Sequence, residues 1–312
     1  MGSSGTDLPE GDHARPASLE DLPAIDEVCL ASERALGVLP EPRTPYLRWL
    51  WSLPYVDVAR DTRLVQSAGT VVGFAMATFD GSSSSVMRCM GRVHPAHLRR
   101  GIGGWMLAWF QERARATAGA TTIRVGVPEP DDRGHDLLGA AGYERARTSF
   151  DMGTGLNGAE VPPEPPVGVT IRRFVAGADE RTMWQVETEA FRDHWDHEHD
   201  PPYEVFAAEW FGDPNGPARI WLAEADGSVV GECGWVVDTD AYVGSLGVLR
   251  PYRGRGIGTT LLRTAMADAA AAGHARIVLS VDAANPTGAL QVYERAGLSV
   301  LRTLAIYDRA LA

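Results

Sequence analysis

Cysteine is scarce in this 312-residue chain: Cys29, Cys89 and Cys233 are the only three, and none forms a CxxC pair. That excludes a disulfide-stapled scaffold and a paired-thiolate metal module. Each cysteine reads as a small buried apolar residue in a reduced, cytoplasmic setting. Long hydrophobic runs are missing too. None approaches the roughly 20 residues that a membrane helix needs, so no membrane segment is expected. The first residues lack a basic segment followed by an apolar stretch, and 1–12 reads as a flexible polar tail rather than a secretory signal. Positive charge is outweighed, with 29 Lys and Arg against 41 Asp and Glu for a formal net charge of −12. That balance argues against non-specific nucleic-acid binding, which relies on basic surface. It is compatible with a cationic partner, although acidity also serves solubility.

What the chain has is repetition. Arg100-Gly101-Ile102-Gly103 recurs as Arg255-Gly256-Ile257-Gly258, and Ala141-Gly142 recurs at the same offset as Ala296-Gly297. Val72-Gly73 answers Val230-Gly231, and Arg15 answers Arg172. Matches in one order and nearly in phase, a domain length apart, indicate a duplicated domain. The stretch 154–168 reads TGLNGAEVPPEPPVG. Its prolines fix φ and remove donors, so it reads as an extended linker. The expected division is a domain over 13–153, a linker over 154–168 and a second domain over 169–312.

Each copy shows the same order of elements. In the second, strands are expected at Val169–Phe174, Arg219–Ala225, Ser228–Val237, Ala241–Leu249, Arg276–Val281 and Leu301–Tyr307. Helices are expected at Arg181–Phe191, Tyr203–Phe211, Ile257–Ala272 and Thr287–Ala296. In the first, helical spacing covers Leu19–Ala35, Ile102–Ala118 and His135–Ala141, and strands cover Thr62–Gln66, Val71–Phe79, Val86–Val93 and Thr121–Val127. The fold class is α/β (α+β): an antiparallel hairpin region feeding a strand–helix–strand unit.

Arg253-Gly254-Arg255-Gly256-Ile257-Gly258 lies between a strand and a long helix. The unpaired N–H groups of a helix N-terminus bind anions, and glycines let the backbone come close to phosphates. Arg253 and Arg255 add positive charge. A pyrophosphate suits such a loop. The Lys-Ser/Thr ending of a Walker A loop is missing, and so is the glycine spacing of a dinucleotide fold.

With these residues in place, the chain resembles a tandem member of the GNAT N-acetyltransferase superfamily, which uses acetyl-CoA. Arg253, Gly256 and Gly258 fit its Arg/Gln-x-x-Gly-x-Gly/Ala pattern. Asn285, Ala289, Tyr293 and Gly297-Leu298 resemble its second signature. The resemblance implies two tandem domains, each a mixed, mostly antiparallel sheet flanked by helices. It implies that Leu246, Gly247 and Val248 hold the pantetheine arm, that Arg253 to Thr259 (with Gly254, Arg255, Gly256, Ile257 and Gly258) cradle the pyrophosphate, and that Asn285 makes a polar contact nearby. Tyr293 would protonate the departing thiolate. The acceptor would be a small-molecule amine, the transfer direct, and the enzyme a monomer or homodimer.

A base is harder to name. The family often carries a glutamate early in the fourth strand, but Ala241–Ser245 holds no carboxylate. Glu232 and Asp240 are the substitutes, each equally readable as a solvated or salt-bridged acid, and a water chain is an alternative. Cys233 as an acyl carrier would run against the family's direct transfer. The His- and Asp-rich run Asp193–Asp200 has no regular ligand spacing, so a loop over the acceptor is expected there and no metal. The tandem layout and the Ala190–Trp195 stretch also resemble the mycothiol synthases, from which the missing strand-four glutamate sets the chain apart. A non-catalytic acyl-CoA sensor would be the reading of another class.

The first copy departs from the pattern. Leu98 stands where the second has Arg253, Pro130 where it has Asn285, and Leu138 where it has Tyr293. Leucine donates no proton, so this copy is expected to be catalytically silent. It retains Gly91, Arg92 and Val93 on its fourth strand and Arg99, Arg100, Gly101, Ile102 and Gly103 in its loop, as candidates for binding coenzyme A without turnover.

Overall fold

The computed structural model describes residues 7–195 and 197–311. Of the expected tail, residues 1–6 lie outside the described residues, whereas Leu8 packs on a core and Asp12 already begins a strand. The chain forms two compact units, one of Met1–Ser149 with Arg302–Ala312 and one of Phe150–Leu301.

Unit 1 runs β1 (Asp12–Arg15), α1 (Leu22–Leu36), α2 (Thr44–Ser52), α3 (Val58–Asp61), β2 (Thr62–Ser67), β3 (Thr70–Thr78), β4 (Val86–Val93), α4 (Ile102–Arg115), β5 (Thr122–Pro128) and α5 (Asp132–Ala140). Its pairings are antiparallel except β4 with β5, which is parallel from Val86↔Thr122 to Cys89↔Val125. Helices α1 and α4 pack on the sheet, which is why β3 is buried along nearly its whole length and reads as a continuous apolar run.

Unit 2 repeats the plan. Strand β6 (Glu144–Gly155) enters it, followed by β7 (Val169–Arg173), α6 (Glu180–Phe191), α7 (Tyr203–Phe211), β8 (Arg219–Ala225), β9 (Ser228–Val237), β10 (Ala241–Val248), α8 (Ile257–Ala271), β11 (Arg276–Asp282) and α9 (Ala289–Arg295). Helix α6 packs on β9 and β10, and α8 packs on β8 to β11. The core gathers Trp235, Leu261, Leu262, Ile277 and Leu279. Each buried aliphatic side chain there contributes about 1.5–3 kcal/mol. Trp235 donates its indole N–H to Asp268 at 3.2 Å, which satisfies the one polar atom of a fully buried ring.

The mixed, mostly antiparallel sheets flanked by helices match the expected fold class. The division of the chain differs from the sequential one. The last strand, β12 (Ser299–Ala310), pairs with β5 from Leu304↔Pro128 to Ala310↔Thr122 and so belongs to unit 1. The end of β6 lies beside β11 in unit 2. Thr154 and Gly155, expected in the linker, are the end of that strand, and no regular element occurs from 156 to 168.

The exchanged strand anchors unit 1 through side chains as well. Arg124 forms a bidentate pair with Asp308 at 2.7 Å for both contacts, Tyr307 meets His135 at 3.0 Å, and Arg302 reaches buried Glu33 at 3.3 Å. Deleting Arg302–Ala312 is therefore expected to open unit 1 to protease while unit 2 stays protected. Limited proteolysis read by mass spectrometry checks this; equal protection of both units would contradict it.

Candidate active site

Strand β10 is held by β9 along its length, through Leu246↔Cys233, Gly247↔Glu232 and Val248↔Gly231. Its parallel pairing with β11 covers Ala241↔Ile277 and Tyr242↔Val278. Beyond that, the side of Leu246–Val248 facing away from β9 forms one wall of a cleft. Backbone groups there need partners, and an extended amide-bearing ligand can supply them.

The strand leads through a short turn into Arg253–Gly256. Gly254 and Gly256 have φ of +75° and +85°, a left-handed conformation that only glycine adopts cheaply. Gly256 caps α8, so the first N–H groups of that 15-residue helix have no partner within it. No acidic residue occupies the first helical turn. The positive end of the helix dipole is thus unopposed and suits an anion.

The cleft, ≈ 210 Å³, is lined by most of the expected residues: Leu246, Gly247, Val248, Arg253, Gly254, Gly256, Ile257, Gly258, Thr259, Asn285 and Tyr293. Arg255 is outside that lining, with its guanidinium 5.4 Å from the centre of the Tyr252 ring. Arg253 lines the cleft, and three of its five donors are committed. It bonds the carbonyls of Val248 at 2.9 Å and Ala190 at 2.8 Å, and Asp193 at 3.1 Å. Its geometry is that of a brace between β10, α6 and the loop. Asn285 builds the turn after β11: its Oδ1 accepts from the Thr287 amide at 2.9 Å and hydroxyl at 2.6 Å.

Tyr293 sits on α9 and is 9% exposed. Burial, reinforced by Cys233, Glu232 and Tyr242, pushes its phenol well above the usual range. The hydroxyl therefore stays protonated and can only donate to charge developing beside it. Cys233 is fully buried and outside the cleft lining. Burial pushes its thiol far up, opposite to what a nucleophilic cysteine needs.

The two candidate bases part company. Both lie outside the cleft lining, and Asp240 is paired with Arg276 at 2.6 Å. Glu232 is fully buried and directly under Gly247: a Cβ at Gly247 would stand 2.7 Å from its Oε1. That oxygen accepts from the Ser245 hydroxyl at 2.7 Å, while Oε2 has no hydrogen-bond partner. Burial raises the carboxyl to about 7, against the opposing pull of Ser245 and the Gly247 amide.

Sequence reading missed Glu187 on α6. Its Oε1 accepts from the Trp210 indole at 3.4 Å, its Oε2 is buried without a partner, and burial followed by the charge of Glu232 pushes it far up. The available signal was its position on the buried stripe of α6, in phase with Met183, Val186 and Ala190. Arg295, the other residue missed, adds a cation to the cleft wall.

The His- and Asp-rich run places Asp193 and His194 at the cleft rim. Asp193 bonds Arg250 and Arg253, and Asp200 bonds Arg192 and His197. Residue 196 lies outside the described residues.

Unit 1 has the same loop shape with different side chains around it. Gly101 caps α4 at φ +89°, and Arg99 takes up a left-handed φ of +63° where unit 2 has Gly254. Gly91, Arg92 and Val93 end β4 as Leu246–Val248 end β10. Arg92 stands at the position of Gly247, and its guanidinium turns back onto the Gly91 carbonyl at 2.8 Å. Arg100 is held by Asp12 at 3.0 Å. Ile102 is buried, and a Cβ at Gly103 would meet Leu137 at 2.9 Å. Leu138, in the place of Tyr293, is buried in the core.

Comparison with known proteins agrees with this geometry. The family model described as "Acetyltransferase (GNAT) family" matches residues 28–143 and 181–298. A mycothiol acetyltransferase of Stackebrandtia nassauensis is 31% identical over 259 residues, 78% of this chain and 80% of that one. A crystal structure of a GCN5-related N-acetyltransferase from Sphaerobacter thermophilus is 28% identical with a TM-score of 0.83, covering 98% of this chain and 97% of that one. A tandem GNAT protein from the clavulanic acid biosynthesis pathway shares the fold, with a TM-score of 0.76 at 18% identity over 96% and 99% of the two chains. No helix among the described residues is long and apolar enough to cross a membrane. The chain belongs to the GNAT acetyltransferase family, as an acetyl-CoA-dependent N-acetyltransferase with two tandem domains.

Proposed function

We propose that unit 2 carries the transfer, directly from acetyl-CoA to the amine of a small acceptor, and that unit 1 is silent. The observation carrying this is the convergence of three features on one cleft: the open side of Leu246–Val248, the N-terminus of α8, and the Tyr293 phenol. The residues fit acetyl-CoA: backbone groups of β10 for the pantetheine amides, and the Gly254–Thr259 amides with the helix dipole for the diphosphate. When bound, it supplies a thioester carbon open to attack and a thiolate leaving group. Tyr293 then donates its hydroxyl proton toward the sulfur as charge collects there. Arg253 acts as the brace that holds loop and strand in register, rather than as a phosphate contact. Cys233 takes no part.

The acceptor enters from the side of Phe191, Asp193 and His194. A cysteinyl pseudodisaccharide of the mycothiol type is the second reading, favoured by the 31% identity to a mycothiol acetyltransferase. Tyr242 and its neighbours on β10 offer no carboxylate to such a substrate. The test is product formation, read by mass spectrometry, with acetyl-CoA and a panel of primary amines that includes glucosamine, a polyamine and a cysteinyl glucosamine conjugate. The chain contains no lysine, so it has no ε-amine of its own to compete as acceptor. A single strongly preferred small amine is expected; no acetylation of any amine alongside intact acetyl-CoA binding would favour the sensor reading.

A further inference from the structure

Two carboxyl groups of unit 2 both neighbour the Ser245 hydroxyl, and the reaction described so far uses neither. Glu232 comes from β9 and Glu187 from α6, the helix that packs across β9 and β10. Each keeps one buried carboxylate oxygen without a hydrogen-bond partner. Ser245 donates to Glu232, and the Trp210 indole to Glu187. A lone buried carboxylate costs several kcal/mol, and two adjacent ones cannot both be charged near neutrality. The favourable arrangement is one proton held by the pair.

Its place in the fold gives it a use. Glu232 lies opposite Gly247 in the β9–β10 register. The point where a Cβ on Gly247 would stand is 2.7 Å from Glu232 Oε1 and 3.0 Å from the Ala190 methyl. Gly247 and Ala190 both line the cleft. The missing side chain therefore lets the buried carboxyl pack directly against a residue of the cleft wall.

We propose that Glu187 and Glu232 form a carboxyl pair holding one proton beneath Gly247, and that Glu232 takes the proton of the incoming ammonium. This rests on the reading of unit 2 as the working acetyltransferase. The step balances: an N–H bond of the ammonium breaks, an O–H bond forms on Glu232, the cation becomes a neutral amine, and the pair passes from one negative charge to none. The second nitrogen proton, lost as the N–C bond forms and the C–S bond breaks, returns to the phenolate that Tyr293 becomes on protonating the sulfur, and Glu232 gives its proton to solvent before the next turnover. One proton leaves to solvent per turnover. Glu187 is the positioning residue: it stays protonated because Glu232 ionises first, and it keeps that charge single.

The groups facing the pair are Glu209 and the Trp210 indole on α7, Ser245 on β10, Cys233 on β9 and Tyr293 on α9. None is a cation, so nothing there lowers the pair into the ordinary carboxyl range. A base must be deprotonated to work, so kcat/KM should rise with pH through about 7, the value at which Glu232 ionises.

The test combines two readouts on the full chain. Infrared titration of the protonated-carboxyl band needs no acceptor. Wild type is expected to lose one carboxyl proton near neutrality and to keep another well above it. Glu187→Gln should retain only the step near neutrality. Glu232→Gln should move the remaining step down, because Glu187 loses its like-charged neighbour. With the panel amine that turns over fastest, Glu232→Gln should lower kcat at least 100-fold and abolish the acid limb, with acetyl-CoA affinity kept within two-fold. Glu187→Gln should lower the rate less than Glu232→Gln does and move the acid limb of its pH profile together with its infrared step. Loss of all carboxyl bands below pH 5 in wild type, or a Glu232→Gln rate within three-fold of wild type, would overturn the proposal. Normal titration steps without turnover on any amine would leave the pair standing and sink the acetyltransferase assignment of unit 2 instead.

Discussion

Tyr293→Phe is expected to lower kcat by about 10²–10³-fold and to leave the acetyl-CoA dissociation constant within about two-fold. The substitution removes one oxygen from a side chain that is 9% exposed, so the ring still fills its place against the core of unit 2. What disappears is the donor aimed at the leaving sulfur. Burial and the neighbouring Cys233, Glu232 and Tyr242 hold the phenol proton tightly, so the hydroxyl is in its donating form at every working pH. The same tightness means that it follows charge onto sulfur and does not give up its proton beforehand. A 100-fold loss corresponds to about 2.7 kcal/mol of barrier, the scale of one directed donor in a dry site. Steady-state kinetics and calorimetric titration of acetyl-CoA separate the two quantities. A rate within three-fold of wild type would remove Tyr293 from the chemistry.

Gly247→Arg should abolish acetyl-CoA binding by unit 2 outright. The substitution copies unit 1, where Arg92 occupies the matching position and folds back onto the Gly91 carbonyl. In unit 2 even a methyl group at this point would crowd Glu232 at 2.7 Å, Ala190 at 3.0 Å and Phe191 at 3.4 Å. Strand backbone, cleft and carboxyl pair meet at this one residue, so a long side chain must either lie in the cleft or displace its floor. Calorimetry is expected to count one acetyl-CoA site per wild-type chain and none in the variant. Circular dichroism and a cooperative melt must show that the variant is folded, and Gly247→Ala, with a partial loss of affinity, provides the milder step. Two sites in wild type, or one surviving in the variant, would show that Arg92 does not close unit 1 to the cofactor.

Much of this was readable in advance because it is local or repeated. Helix α8 declares itself by its alanines and leucines after Gly256, and β8 and β9 by the Asp226-Gly227 turn between them. The offset between copies brought out Leu138 opposite Tyr293 before any coordinates did. The exchange of β6 and β12 was not readable, because a strand's own pattern says which face is buried and not whose edge it joins. The bracing contacts of Arg253 are unreadable for a similar reason. Its partners Asp193 and Ala190 lie 60 and 63 positions away, and no local pattern announces them. Glu187 escaped notice because a single acid on an apolar helix face looks like ordinary helix surface until a second acid is set against it.

The exchanged strand also sets an order of events during synthesis. Arg124 on β5 waits for Asp308, 184 positions further along the chain. At the usual pace of a ribosome, roughly 5–20 residues per second, that is a delay on the order of 10–40 s. For that time the half made first has an unfinished sheet margin, while β7 to β11 of the second half are still being made. The N-terminal half is therefore completed last, once Ser299–Ala310 has been made.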